Sequence, residues 1–241
     1  MAVLDSAIVG GIIGGAAAGV MVYMQARQRR KLAEYLRSGV EAERLRPMID
    51  RLYPFKGKLG LYQILPLSTR FVALGAIGQQ SAVREEVAAL PKDARLTCRV
   101  QVVGMGLLVQ RVLGDPDPTL HSDLEALLAE IERDGSKLLA LVKRLARILV
   151  AASRAVDGTP MDDETRRLIA SQMRSHPHAK VVWLMAQMYD RIARGDVAGL
   201  AAMNIEIEHE WPKSAYARRA ETLLAQAASA SRPQPTTGDH A

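Results

Sequence analysis

Few residues in this chain of 241 amino acids could carry chemistry, and the histidines and the only cysteine are the first to consider. Imidazoles can bind a metal, and a thiolate can act as a nucleophile. His176 and His178 flank Pro177, but a zinc site needs three or four ligands, so this pair alone does not predict one. Cys98 has no sequence-local activator, which favours a small buried residue, and a lone cysteine excludes a disulfide scaffold.

Three adjacent carboxylates, Asp162, Asp163 and Glu164, are the next candidates, here for acid–base chemistry. They lie at the predicted start of a helix, where the helix dipole favours negative charge, so capping explains them without catalysis. The chain also lacks a nucleophile elbow, a phosphate-binding loop and an HExxH motif, and its GMG triplet lacks the rest of a dinucleotide fingerprint. We therefore predict no catalytic residue, no metal and no cofactor.

Composition indicates that helices position whatever site the chain has. The sequence contains only two Trp, six Tyr and two Phe, whereas β-sandwiches and barrels need aromatic and β-branched strands. Apolar spacing predicts helices over residues 122–134, 136–157 and 160–175, the first of them begun by a capping box of Ser122 and Glu125. The predicted fold class is therefore all-α.

The N-terminal region carries the longest uncharged stretch. Residues 7–24 contain no charged side chain, and as a helix they would extend about 27 Å, close to the hydrocarbon thickness of about 30 Å. This predicts a single transmembrane anchor, with a cleaved signal peptide and a buried helix as alternatives. Gly11, Gly15 and Gly19 are spaced by four and would form a smooth strip for packing on another membrane helix, although glycine is also common in such helices.

A basic cluster follows the predicted anchor. Arg27, Arg29, Arg30 and Lys31 come directly after the apolar stretch, so the positive-inside rule places the N-terminus outside and the rest of the chain in the cytoplasm. The same residues would attract anionic lipid, or they serve only as this topology signal. The chain carries a formal charge of +6, but no nucleic-acid motif accompanies it, so we expect no nucleic-acid partner.

Two stretches in the middle of the chain have less regular patterns. Residues 59–78 are fairly apolar, but Arg70 and Pro66 near their centre favour a buried helix over a second membrane span. Residues 95–103 partly alternate, which is typical of a short strand. In the helix predicted over 136–157, five cations lie off the apolar stripe and form a basic face: Lys137, Lys143, Arg144, Arg147 and Arg154. This face either binds an acidic partner or a membrane, or is simply exposed to solvent.

The C-terminal part resembles a tetratricopeptide repeat, whose period is about 34 residues. Pro177 and Pro212 are 35 residues apart, and the segment between them predicts a helix, a Gly-Asp turn and a second helix. The resemblance assigns packing and turn positions to Met185, Ala186, Tyr189, Gly195 and Pro212. It implies helix pairs that stack around a surface suited to a peptide or a partner helix. An ordinary helical hairpin without repeat lineage is the alternative, since no second clear copy lies upstream.

The predicted domain organisation is a transmembrane anchor over 1–24, a basic juxtamembrane helix or linker over 25–56, an α-helical domain over 57–228 that is repeat-like from about 160, and a disordered tail over 229–241. This organisation predicts a membrane-anchored scaffold or adaptor, which recruits or organises partner proteins at the cytoplasmic face of a bacterial inner membrane. Its partners would be other proteins, the membrane through residues 7–24, and further copies of itself. The alternatives are a structural subunit of a secretion or motility machine that assembles through its glycine-rich helix, and an enzyme with an unrecognised site.

Overall fold

The computed structural model describes residues 23, 27, 30–32, 34–38, 42–134 and 140–230, and all regular structure within these ranges is helical. Its main helices are α1 (Ala42–Leu52), α2 (Ile64–Ala76), α3 (Gln80–Ala88), α4 (Leu96–Val112), α5 (Thr119–Arg133), α6 (Ala140–Val156), α7 (Asp163–Ser175), α8 (Lys180–Ala193), α9 (Leu200–Glu210) and α10 (Ala215–Ala230). Short 3-10 turns at Leu61–Gln63 and Pro177–Ala179 precede α2 and α8. The all-helical part of the fold prediction is therefore confirmed for the described residues.

The transmembrane part of that prediction is wrong for the portion of the chain that the structure describes. None of the helices there is long and apolar enough to cross a membrane. The apolar helix α2 has 13 residues, which extend only about 20 Å against a hydrocarbon thickness of about 30 Å. The predicted anchor at 7–24, including Gly11, Gly15 and Gly19, lies outside the described residues except for Tyr23. The single-pass inner-membrane location that depended on it is accordingly withdrawn.

The core is built around two central helices, α4 and α8. Helix α4 contacts α2, α3, α5, α6 and α8, and helix α8 contacts α6, α7, α9 and α10 as well. The strand predicted over 95–103 is wrong, because these residues form the first half of α4. Helix α4 is buried on almost every side from residue 104 to its end, so its sequence has little of the polar face from which a helical period is recognised. The buried helix predicted within 59–78 is confirmed, since Leu67–Ala76 of α2 are all buried.

The GMG triplet lies in the middle of α4, where its glycines allow neighbouring helices to approach. A Cβ atom at Gly104 would lie 2.6 Å from Leu149 Cδ1 of α6. One at Gly106 would lie 3.0 Å from the Phe71 ring of α2 and would also overlap Val87. Real Cβ atoms rarely approach other atoms so closely, so the two glycines serve helix packing.

Two predicted helix starts can be compared with the structure. The capping box at Ser122 is wrong, because α5 begins three residues earlier at Thr119. The Asp117 carboxylate accepts the Thr119 backbone N–H at 2.9 Å, and Ser122 lies within the first turn of the helix. Asp162 is the N-cap of α7, which begins at Asp163 and not at residue 160 as predicted; its carboxylate accepts the Thr165 backbone N–H at 2.7 Å.

A buried ion cluster joins α1, α2 and α3. Arg70 is 2% exposed, and its guanidinium donates to both carboxylate oxygens of Glu86 at 2.6 Å. The same side chain donates to Asp50 at 2.6 Å and to the Tyr53 backbone carbonyl at 2.8 Å. Arg46 completes the cluster with bonds to Glu86 at 3.0 Å and Asp50 at 3.1 Å. Two cations thus face two carboxylates, and the charges of this cluster balance.

The chain before residue 57 contributes to the hydrophobic core of the helical domain. Leu32, Leu36, Leu45 and Ile49 are all buried among the core residues. Lys213, just before α10, donates through its Nζ to the backbone carbonyl of Arg37 at 3.0 Å. The segment predicted as a juxtamembrane helix or linker therefore packs on the helical domain over its described residues.

Two buried tyrosines connect parts of the chain that are far apart in sequence. The Tyr216 hydroxyl of α10 donates to the Val72 carbonyl of α2 at 3.2 Å, and burial raises its pKa well above the ordinary value. The Tyr189 hydroxyl of α8 donates to the Val112 carbonyl of α4 at 3.2 Å. Burial raises the pKa of Tyr189 too, although the neighbouring Arg219 opposes this. The last helix is thereby fixed against an early one.

Candidate functional site

An apolar cavity of about 580 Å³ lies where α2, α4, α6, α7 and α8 meet. Its walls are mainly aliphatic, with contributions from Ile64, Leu65, Met105, Val142, Leu145 and Leu168. This volume falls within the range of about 300–1,000 Å³ that is typical of binding pockets, which combine an apolar lining with a few polar groups. The cavity is therefore the leading candidate for a functional site.

The polar side chains of this cavity are hydrogen-bond donors or neutral groups, and none of the residues that line it is Asp or Glu. Trp183 is 1% exposed, and its indole Nε1 has no hydrogen-bond acceptor among the described residues. Arg144, Gln101, Gln172 and Ser68 line the same space. A buried N–H without an acceptor is costly, so Trp183 provides a donor that an occupant could satisfy.

Two large exposed apolar side chains, Leu61 and Leu141, border the cavity; together with Tyr62, the exposed neighbour of Leu61 in the chain, we call them the rim. Leu61 is 56% exposed, Tyr62 88% and Leu141 76%. Leu61 and Leu141 also line the cavity itself. Single exposed apolar residues are common on proteins, but large ones clustered beside a cavity are typical of interaction surfaces.

A second cleft of about 560 Å³, which we call the basic cleft, adjoins the apolar cavity and shares Arg144 and Leu168 with it. It lies along the basic face predicted for α6. Arg147 is paired with Glu132 at 2.9 Å, and Arg154 is paired with Glu125 at 2.6 Å. The predicted face is therefore partly neutralised by α5. Lys143 and Arg144 contact no carboxylate among the described residues.

His176 and His178, the predicted histidine pair, both line the apolar cavity. Their rings meet edge to face with centroids 5.8 Å apart. Burial lowers the pKa of His176, although a backbone hydrogen bond with Gln172 works in the opposite direction. Across the described residues, no three side chains of His, Cys, Asp or Glu come together as a metal site would require.

A serine, a histidine and a glutamate form a hydrogen-bonded series that sequence reasoning missed. Ser153 Oγ lies 2.9 Å from His121 Nδ1, and His121 Nε2 lies 3.1 Å from Glu125 Oε1. These groups resemble a catalytic triad in type, but the Ser153 residue is 0% exposed and its Oγ accepts a bond from Arg111 Nε at 3.2 Å. A hydroxyl enclosed in this way cannot reach a substrate, so the series links α4, α5 and α6 structurally.

The other predicted chemistry-bearing residues also have structural surroundings. Cys98 is buried, as the sequence suggested. Asp163 pairs with Arg166 three residues later. The pKa of Asp162 is lowered, chiefly by the Thr165 backbone N–H, as expected for a helix cap.

The residues assigned by the repeat resemblance lie in and after α8. Met185, Ala186 and Tyr189 are buried, Gly195 has a φ of +68° in the turn after α8, and Pro212 lies buried in the turn after α9. None of them lines the apolar cavity. Their membership of a tetratricopeptide repeat stays a prediction.

The predicted lipid-facing cations lie at the edge of the described region. Arg27, Arg30 and Lys31 are exposed, and Arg29 lies outside the described residues. None of the three described cations is brought to the cavity or to the basic cleft.

Comparison with known protein families, characterised proteins and solved structures finds no match to this chain. The cavity, its rim and the basic cleft are therefore the features of the molecule that bear on its function.

Proposed function

We propose that this chain is a helical scaffold that recruits or organises a partner protein, and that the partner binds over the rim of the apolar cavity. The observation that carries this proposal is the exposure of Leu61 and Leu141, which line the cavity, and of Tyr62 next to Leu61 in the chain. Water around such side chains is released when a partner covers them, at roughly 25 cal/mol per Å² of apolar surface. An inserted anchor residue surrounded by a covered rim is the usual arrangement of an interaction hot spot.

The surroundings of the polar groups support a binding role over a catalytic one. Ser153 is enclosed, Asp115 is buried in an ion pair with Arg84 at 2.5 Å, and Asp162 caps a helix. Ser153 and Asp115 join neighbouring elements of the fold, and Asp162 stabilises the start of its own helix. The rim, by contrast, exposes large apolar side chains that do not stabilise the isolated fold.

Site-specific photocrosslinking tests the proposal. The full chain, carrying a benzophenone amino acid at Leu141, would be irradiated in cells that express the protein natively. The matched control carries the same group at Ile205 of α9, which is 69% exposed and lies away from the cavity. We expect one protein to form an adduct from position 141 that does not form from position 205.

The rim itself provides the second arm of the test. Leu61→Asp should abolish the position-141 adduct, whereas Ile205→Asp should leave it unchanged. Both side chains are exposed, so these substitutions should alter stability by no more than about 0.5 kcal/mol. Equal labelling from positions 141 and 205, or an adduct insensitive to Leu61→Asp, would show that the rim is not a docking surface.

A further inference from the structure

We infer that the partner segment is acidic and apolar: one large apolar side chain enters the cavity, and a carboxylate beside it lies over the basic cleft. This inference rests on the proposed function and specifies its partner. The apolar cavity and the basic cleft are neighbours, since Arg144 and Leu168 line both. A single short segment can therefore reach both sites.

The charge of the two spaces favours an acidic segment. Lys143 and Arg144 carry positive charge without a carboxylate partner among the described residues, whereas Arg147 in the same cleft is already paired with Glu132. The acidic residues that line the basic cleft are Asp162, whose carboxylate is engaged as a helix cap, and Glu164. Arg144 borders both spaces, and no Asp or Glu lines the apolar cavity, so complementary charge would steer an acidic segment there and exclude basic ones.

The indole of Trp183 supplies a second and independent indication. Trp183 lines the cavity, and its Nε1 is buried without an acceptor among the described residues. A backbone carbonyl or carboxylate oxygen on an inserted segment would satisfy this donor. Trp211 Nε1 also lacks an acceptor, but Trp211 does not line the cavity, so it serves as an internal reference.

The rim favours a protein segment over a small amphiphile. A ligand small enough to occupy 580 Å³ would lie inside the cavity and leave Tyr62, which is 88% exposed, in contact with water. A protein segment anchored in the cavity would cover Leu61, Tyr62 and Leu141 as it passes over the mouth.

Selection from a random 12-residue peptide library displayed on phage, against the purified full chain, tests the sequence preference. We expect the enriched peptides to share a large apolar residue with Asp or Glu close to it. Enrichment of basic or uncharged peptides, or no enrichment relative to the Leu141→Asp variant, would overturn the inference. A partner crosslinked at position 141 through a basic or neutral segment would overturn it as well, while leaving the proposed function intact.

Binding of the best acidic peptide, measured by fluorescence anisotropy, tests the charges. Lys143→Gln combined with Arg144→Gln should weaken binding at least tenfold and reduce its salt dependence, whereas Arg147→Gln, which removes an already paired cation, should change it less than twofold. Equal effects of the two charge variants would contradict the assignment.

The two indole N–H signals of the ¹⁵N-labelled protein provide the structural readout. The Trp183 signal, assigned with the Trp183→Phe variant, should shift on peptide binding, and the Trp211 signal should stay in place. Dodecanoate serves as the small-ligand probe. If it shifts the Trp183 signal, blocks binding of the peptide and binds equally well to the Leu141→Asp variant, the cavity is a small-ligand site and the inference is wrong. A peptide that binds without moving the Trp183 signal would also refute it.

Discussion

Replacing Arg70 by methionine should strongly destabilise the fold, because it leaves carboxylates without their main partner. Arg70 is 2% exposed and makes bonds of 2.6 Å to Glu86 and Asp50. Removing one member of a buried pair costs about 3–5 kcal/mol. Glu86 keeps its bond to Arg46 at 3.0 Å, so we expect the lower end, about 3 kcal/mol. Urea unfolding followed by circular dichroism should show a midpoint lower by about 1–2 M.

The matched control is Arg147→Met, which breaks a pair whose arginine and glutamate side chains are 66% and 45% exposed. Surface pairs contribute about 0–1 kcal/mol, so this variant should unfold close to the native midpoint. The double variant Arg70→Met, Glu86→Met should be more stable than Arg70→Met alone, because it also removes the buried carboxylate that has lost its main partner. Two results would refute the reasoning. One is a loss of stability below about 1 kcal/mol for Arg70→Met, and the other is a double variant that is no more stable than Arg70→Met alone.

Three further predictions follow from the fold. Burial tends to raise the pKa of Asp50, but Arg70 and Arg46 outweigh this effect, so the pKa is lowered. The urea midpoint should therefore fall as the pH drops from about 5 to 3. This fall should be smaller in Arg70→Met, which lacks one of the two arginines. Gly106→Ala should destabilise by about 1–2 kcal/mol in thermal or urea unfolding, because overlap with Phe71 exceeds the gain in helix propensity; a more stable variant would contradict this packing. Ser153→Ala should lower the free energy of unfolding by about 1–2 kcal/mol and leave the crosslinked adduct at position 141 unchanged. Loss of that adduct without loss of stability would give the hydroxyl a functional role.

The helical elements were predictable where one face of a helix is apolar and the other charged. The stripe of α6 is an example, since Ile148, Leu149 and Ala152 are buried as their spacing suggests. Leu141 has the same spacing and is 76% exposed, because a stripe identifies the face of a helix without identifying what covers it. The part of that stripe which remains uncovered became the rim of the candidate site.

Features that depend on distant parts of the chain were not predictable. Arg70 and Glu86 are 16 residues apart, and Arg46 and Glu86 are 40 apart, so no local pattern relates them. The strand interpretation of residues 95–103 failed for a related reason: Cys98, Val100 and Val102 lie on more than one face of α4, and all three are buried because several helices surround it. The membrane interpretation depended on residues 7–24 alone, while the described helices are held by contacts among themselves.

The bond between Tyr216 and Val72 affects how the chain can fold during synthesis. It spans 144 residues, and at a synthesis rate of 5–20 residues per second the ribosome needs about 7 to 29 s to produce the second partner after the first. During that interval α2, buried from Leu67 to Ala76 in the finished protein, cannot complete its packing. The part of α2 that α10 covers in the finished protein therefore stays exposed for many seconds, although α3 and α4 are made earlier and can already cover the rest. Chaperones that bind emerging chains are candidate partners for that surface.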